Sequence, residues 1–128
     1  MSSEPITAIL GYTIAPGVSV AEYDEWLWKV HYPDLLANPH LDRIVLNTVI
    51  EPITATSAGT PTSDSILPLD RIAELQFSDR EAYGRYLTWF EEHPIPAERS
   101  PAGRTTFRFY VLCEETEATR QEPRIQGP

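Results

Sequence analysis

The chain has 128 residues, enough for one domain with a single core. It is 41% hydrophobic and 23% charged, with a net charge of −9 and no cluster of Lys or Arg. That balance excludes a phosphate-neutralising nucleic-acid binder, and no apolar run is long enough for a membrane-spanning helix. The opening MSSEPITAIL carries neither the basic nor the apolar segment of a secretory signal. Cys113 is the only cysteine, so no internal disulfide forms. Together these features lead us to expect a cytoplasmic protein.

Ile6–Ile14, ITAILGYTI, is rich in β-formers and predicts the first strand. Gly11 within it marks a bulge or a close approach by another backbone. Ser19 and Glu22 form a capping box, and Tyr23, Leu27, Val30 and His31 follow at helical spacing, predicting a helix over 20–31. Pro33 disfavours helical geometry at Tyr32 and is expected to end or kink the helix there, with room for one more short turn in DLLANPH. RIVLNTVIE, 43–51, is the second strand. Residues 52–68 are rich in Thr, Ser and Pro, without helical period, and read as a long loop that could carry a short β-ribbon. Arg71–Phe77 is the third strand, with Ala73, Leu75 and Phe77 on one face. Ser78 and Glu81 look like a second capping box, followed by a helix with Tyr83, Tyr86, Leu87 and Phe90 on its apolar side and Pro94 and Pro96 at its end. Thr105–Glu114 is the fourth strand, alternating Phe107, Phe109, Val111 and Cys113 against Thr106, Arg108, Tyr110 and Leu112. The domain thus spans 1–114, and 115–128 is a polar tail with too few apolar residues to order itself.

The two halves repeat. SVAEYDEWLWKVHYP precedes the second strand and SDREAYGRYLTWFEEHPIP precedes the fourth, each with Ser-x-x-Glu, then tyrosine and tryptophan, then a histidine near a proline. The resulting β-α-β, loop, β-α-β order is an α+β, ferredoxin-like βαββαβ arrangement. It has a four-stranded antiparallel sheet with both helices on one face. The opposite face carries aliphatic residues and needs a cover, for which a second copy of the chain is the simplest choice.

On this repeat, on the aromatic helix ending in HYPDLL, and on PHLDRIVLNTV, the chain resembles the dimeric α+β barrel superfamily, and within it EthD-like proteins. The resemblance covers about 6–114. It implies a homodimer whose two sheets close a barrel. The superfamily includes cofactor-free monooxygenases, polyketide cyclases, dehydratases, lactone isomerases and haem enzymes, so fold alone does not choose the reaction.

His31 is the best candidate for chemistry. A histidine at a helix end suits proton transfer near neutral pH, and EthD-like chains often carry one at this point. Asp34, three positions on, could orient its ring. Tyr12 and Asn47 on neighbouring strands could donate hydrogen bonds to a carbonyl or enolate, and Trp28, Tyr86 and Trp89 could wall an aromatic pocket. The competing reading is a structural histidine within an aromatic core. His93, beside Glu91 and Glu92, reads as exposed, and His40 as a surface group. Glu74 and Gln76 share a strand face, as do Arg108 and Tyr110, and a Glu–Arg pair across strands would set register. No spacing of His, Cys or Asp resembles a metal site, and no phosphate loop, nucleophile elbow or dinucleotide fingerprint occurs.

The residues together with the resemblance imply a small enzyme that needs no cofactor. It would act by proton transfer on a hydrophobic, aromatic or polyketide-like metabolite: cyclisation, dehydration, isomerisation or cofactor-free oxygenation. His31 would be acid or base, with the 52–68 loop as a lid. The alternative is a metabolite-binding or accessory protein of the same fold.

Overall fold

The computed structural model of the chain describes residues 4–62 and 68–120. In chain order it contains β1 (Ile6–Ile14), α1 (Val20–Trp26), a π-helical turn (Leu27–His31), α2 (Tyr32–Leu36) and β2 (Arg43–Thr48). A small ribbon of β3 (Thr54–Ala55) and β4 (Pro61–Thr62) follows. Then come β5 (Arg71–Phe77), α3 (Arg80–Glu92), a 3-10 turn (Ala97–Arg99) and β6 (Thr105–Glu114). The four long strands form one sheet in the order β2-β5-β1-β6, antiparallel throughout. This is the expected ferredoxin-like topology.

Side chains alternate across the sheet, so register decides which residues meet the helices. Ile6, Ala8, Leu75 and Phe77 face α3 and pack with Ala82 and Tyr86. Tyr12 and Ala73 face the α1 side and pack with Tyr23, Trp26, Leu27 and Tyr32. Both helices therefore cover the same face. The opposite face carries Ile9, paired with Val111 and Glu74, and Gly11, paired with Ile72 and Phe109. Val45, paired with Glu74, extends this half-buried apolar stripe.

Gly11 fulfils the first expectation for it, and the close approach is by a side chain rather than by another backbone. The register of β1 against β6 shifts between Gly11 and Tyr12, and a Cβ on Gly11 would collide with the Phe109 ring. The shift sends Phe107 opposite Tyr12 and Phe109 opposite Gly11, so the two phenylalanines end on different faces. The simple alternation expected for this strand therefore fails at the bulge. Tyr110 lies on the helix side, its hydroxyl 2.9 Å from that of Tyr83, whereas Arg108 donates to Thr13 on the open side. No Glu74–Arg108 pair forms, because β1 separates their strands, and Glu74 accepts from Asn47 Nδ2 at 2.9 Å instead.

The helical segments differ from expectation in three places. The first does not stop at Tyr32. It widens into a π turn, with the Tyr32 N–H donating to the Leu27 carbonyl, and then continues as α2 through Pro33. Proline lacks an N–H and is tolerated in the first turn of a helix, so a fresh start just before Pro33 satisfies the backbone. Ser19 and Glu22 do form a reciprocal capping box. At α3, however, the cap is Asp79, whose carboxylate accepts from the Ala82 N–H at 2.8 Å, and Ser78 is not used. Leu87, expected on the apolar side, is 44% exposed. The second strand ends at Thr48, three residues short of expectation. The long loop does carry a β-ribbon, while 63–67 and 121–128 lie outside the described residues.

Candidate active site

A narrow cavity lies between the helix layer and the sheet. Its walls are largely apolar, with Leu10, Leu27, Leu35, Ala73 and Leu75 among them, and Phe107 and Pro101 at one side. Into it project Tyr12 from β1, His31 from the π turn and Tyr32 from the start of α2. The void is about 50 Å³, room for little more than water or the edge of one ring.

Strand alternation and a widened helical turn aim these groups. Strand alternation with Ile6, Ala8 and Leu10 turns Tyr12 toward the helices, 5.9 Å from Tyr23, and the bulge, whose extra residue is Arg108 of β6, brings Phe107 edge-on beside it. The π turn brings His31 over Trp26, with ring centroids 4.7 Å apart and planes inclined by 13°. In an α-helix, residues five apart point about 140° away from each other, whereas the wider i→i+5 turn brings them to one side. Trp26 is itself fixed: its indole N–H donates to the Arg99 carbonyl at 3.0 Å, and Arg104 lies 4.9 Å from the ring centre.

Three polar atoms in this cavity are buried without a hydrogen-bond partner: Tyr12 OH, Tyr32 OH and His31 Nδ1. Nearly all buried polar groups in proteins are paired, and an unpaired one costs roughly 1–3 kcal/mol. Three on one apolar cavity mark it as the candidate site. The Tyr23 hydroxyl beside them is satisfied, 2.9 Å from Thr105 Oγ1.

Burial sets the protonation states. It lowers the His31 pKa to about 4, with Asp34 opposing the shift and Arg104 adding to it. The imidazole is thus neutral at physiological pH, and the helix does not end there but continues as α2. Burial drives Tyr12 far above the ordinary phenol value, reinforced by Tyr23 and Tyr32, and pushes Tyr32 up to about 12. Both phenols remain protonated and able to donate. Two guanidinium groups stand nearby. Arg71 is 6% exposed and held by a two-pronged ion pair to Asp24 at 2.9 and 3.3 Å, and it favours negative charge on Tyr12 and Tyr32. Arg104 acts on His31.

The other expected site residues are placed as follows. Asp34 makes no hydrogen bond to His31 Nδ1. Its two oxygens take Arg99 at 2.9 and 2.7 Å, which holds the carboxyl below its usual range and ties the segment before β6 to α2. Asn47 lies on the open sheet face, donating to Glu74 and the Ile72 carbonyl. Trp28 is 56% exposed, edge-on to Tyr32. Tyr86 packs in the α3 core against Phe77, and its carbonyl accepts from the buried Asn38 side chain. Trp89 stacks on His93 and lines an open groove outside α3 with the half-buried His40. Among the described residues no group of three or more His, Cys, Asp or Glu could hold a metal ion, and no helix is long and apolar enough to cross a membrane. None of the described residues of the 52–68 loop lines the cavity; the segment ending in Pro101 and Thr105 does.

Solved structures share this architecture. An EthD family protein from Bacillus halodurans aligns at 15% identity over 88% of this chain and 99% of its own, with a TM-score of 0.58. SnoaB, a cofactor-independent oxygenase from Streptomyces nogalater, aligns at 16% identity over 94% and 98%, with a TM-score of 0.52. A hydroxynitrile lyase from Passiflora edulis aligns at 15% identity over 91% and 100%, with a TM-score of 0.54. The likeness shows a shared α+β, ferredoxin-like fold. No protein-family model and no curated protein matches the sequence. At such identities the likeness carries the fold and leaves the chemistry to the residues of this chain.

Sequence reasoning missed Tyr32, Phe107 and Thr105 as cavity residues. Tyr32 reads as the last residue before a helix-breaking proline, and nothing local shows that the helix continues past it. Phe107 is placed by the bulge. The glycine that signals the bulge is visible in the sequence, but its effect on the neighbouring strand is not.

Proposed function

We propose that this protein is a small homodimeric enzyme that acts without a cofactor, by proton transfer, on a hydrophobic aromatic or polyketide-like metabolite. The observation that carries this reading is the neutral His31, with an unpartnered buried nitrogen on an apolar cavity beside two protonated phenols. A neutral imidazole can take a proton from an acidic C–H or O–H of a bound substrate. The electron pair left behind spreads onto the substrate's oxygen, and the imidazolium and oxyanion stabilise each other in a site poor in water. The low pKa reflects burial; an adjacent oxyanion raises it, so the base strengthens as the transfer proceeds. Return of the proton to another atom yields isomerisation, ring closure or dehydration. Reaction of the carbanion with molecular oxygen yields oxygenation. Asp34 acts from a distance, through Arg99 and the segment that flanks the cavity.

The test is a gene deletion in the source organism, complemented by wild type or by His31→Gln. We expect a precursor to accumulate on deletion and to be cleared by wild type but not by the variant. Equal rescue by both would remove His31 as the base and favour a binding role.

A further inference from the structure

We propose that the hydroxyls of Tyr12 and Tyr32 clamp one oxygen atom of the substrate, so that its reacting end is a compact phenol or enolisable ketone. This rests on the proton-transfer reading above and adds the substrate class to it. Tyr12 and Tyr32 are 3% and 5% exposed, and neither hydroxyl has a hydrogen-bond partner within 3.5 Å, although Tyr12 lies near enough to both Tyr23 and Tyr32 to interact with them. They come from different elements, Tyr12 from β1 and Tyr32 from the start of α2 just after the π turn, and both line the same cavity. Tyr23, beside them, is committed to Thr105, which leaves two donors for one acceptor.

Charge and shape agree with this assignment. Arg71, locked to Asp24, favours negative charge at the tyrosine side of the cavity. The remaining walls are mostly aliphatic and offer a flat organic group little but apolar contact. A void of about 50 Å³ does not admit a polycyclic body, so only the oxygen-bearing end enters. Phe107 lines the cavity and is 48% exposed, which marks the side toward which the rest of the molecule extends.

The clamp is testable without the natural substrate. Purified protein is titrated with 4-nitrophenol, whose absorbance reports its ionisation, and with nitrobenzene, which has the same ring but no acceptor oxygen at that position. Wild type is expected to bind the phenol preferentially as its anion and to bind nitrobenzene more weakly. Tyr12→Phe and Tyr32→Phe each keep the ring and are expected to weaken phenolate binding about tenfold to a hundredfold, with nitrobenzene changed less than about twofold. Unchanged phenolate affinity in both variants, with native circular dichroism, would overturn the clamp, as would no binding by wild type at millimolar concentration. His31→Gln separates the two ideas. Phenolate selectivity kept in a variant that still rescues the deletion would leave the clamp standing and remove the base.

Discussion

His31 is half-buried with its Nδ1 enclosed and is held in its neutral form, and that has a thermodynamic consequence. Its pKa is about 4 in the folded protein and near 6.5 when unfolded. Between these values the unfolded chain binds more protons, so stability falls as pH drops through this window. The loss attributable to His31 is of the order of 3 kcal/mol at the acid end. His31→Gln, which cannot titrate, is expected to have a flatter profile of stability between pH 6.5 and 4 in urea unfolding; parallel profiles for the two proteins would contradict the burial of a neutral imidazole. The same residue shows how far a sequence can be read. Its aromatic setting in WLWKVHYPDLL is plain, and its suitability for proton transfer follows from residue type. Its lack of a hydrogen-bond partner is not legible, because it depends on Asp34 being drawn away by Arg99, which lies 65 positions further along the chain.

At the scale of elements, local chemistry chose the strands and helices and left their edges open. The Ser19–Glu22 box was readable because all its atoms lie within one turn. The cap of α3 was misassigned by one residue because Ser78 and Asp79 are both good caps, and the extended backbone of Asp79 decides between them. Asp79→Ala is therefore expected to cost about 1 kcal/mol, and Ser78→Ala less than about 0.5 kcal/mol, in chemical denaturation. The reverse ranking would restore the Ser78 cap. The π turn follows from Pro33 in principle, since a missing N–H must be accommodated somewhere. A kink, a stop and a widened turn all satisfy that demand. Packing selected the widened turn, which keeps Trp26, Leu27 and Tyr32 all buried on the sheet.

For the whole molecule, the helix-covered face is complete and the other is not. Ile9, Val45, Ile72, Phe109 and Val111 form an apolar stripe with Val111 46% exposed, bordered by Arg43, Asn47 and Arg108. Such a face suits a second copy related by a two-fold axis, which meets apolar with apolar. We expect light scattering at micromolar concentration to give the mass of a dimer and Val111→Lys to shift the population toward monomer. A stable wild-type monomer would refute the paired-sheet arrangement. With a net charge of −9 and no basic cluster, the remaining surface is unsuited to polyanions.

The sequence by itself determined the βαββαβ order, the sheet and the helix-bearing face. These follow from periodicity, caps and turn residues, all of which act over a few positions. It also singled out Tyr12 and His31, whose residue types suit the chemistry. Only the tertiary structure decided that these two meet with Tyr32 in one cavity, while Asn47, Trp28, Tyr86 and Trp89 stand elsewhere. The physical reason is that a bulge or a widened turn costs one residue of register locally but rotates everything beyond it. Which side chain then finds a partner, and which is left bare, is a property of the packed molecule.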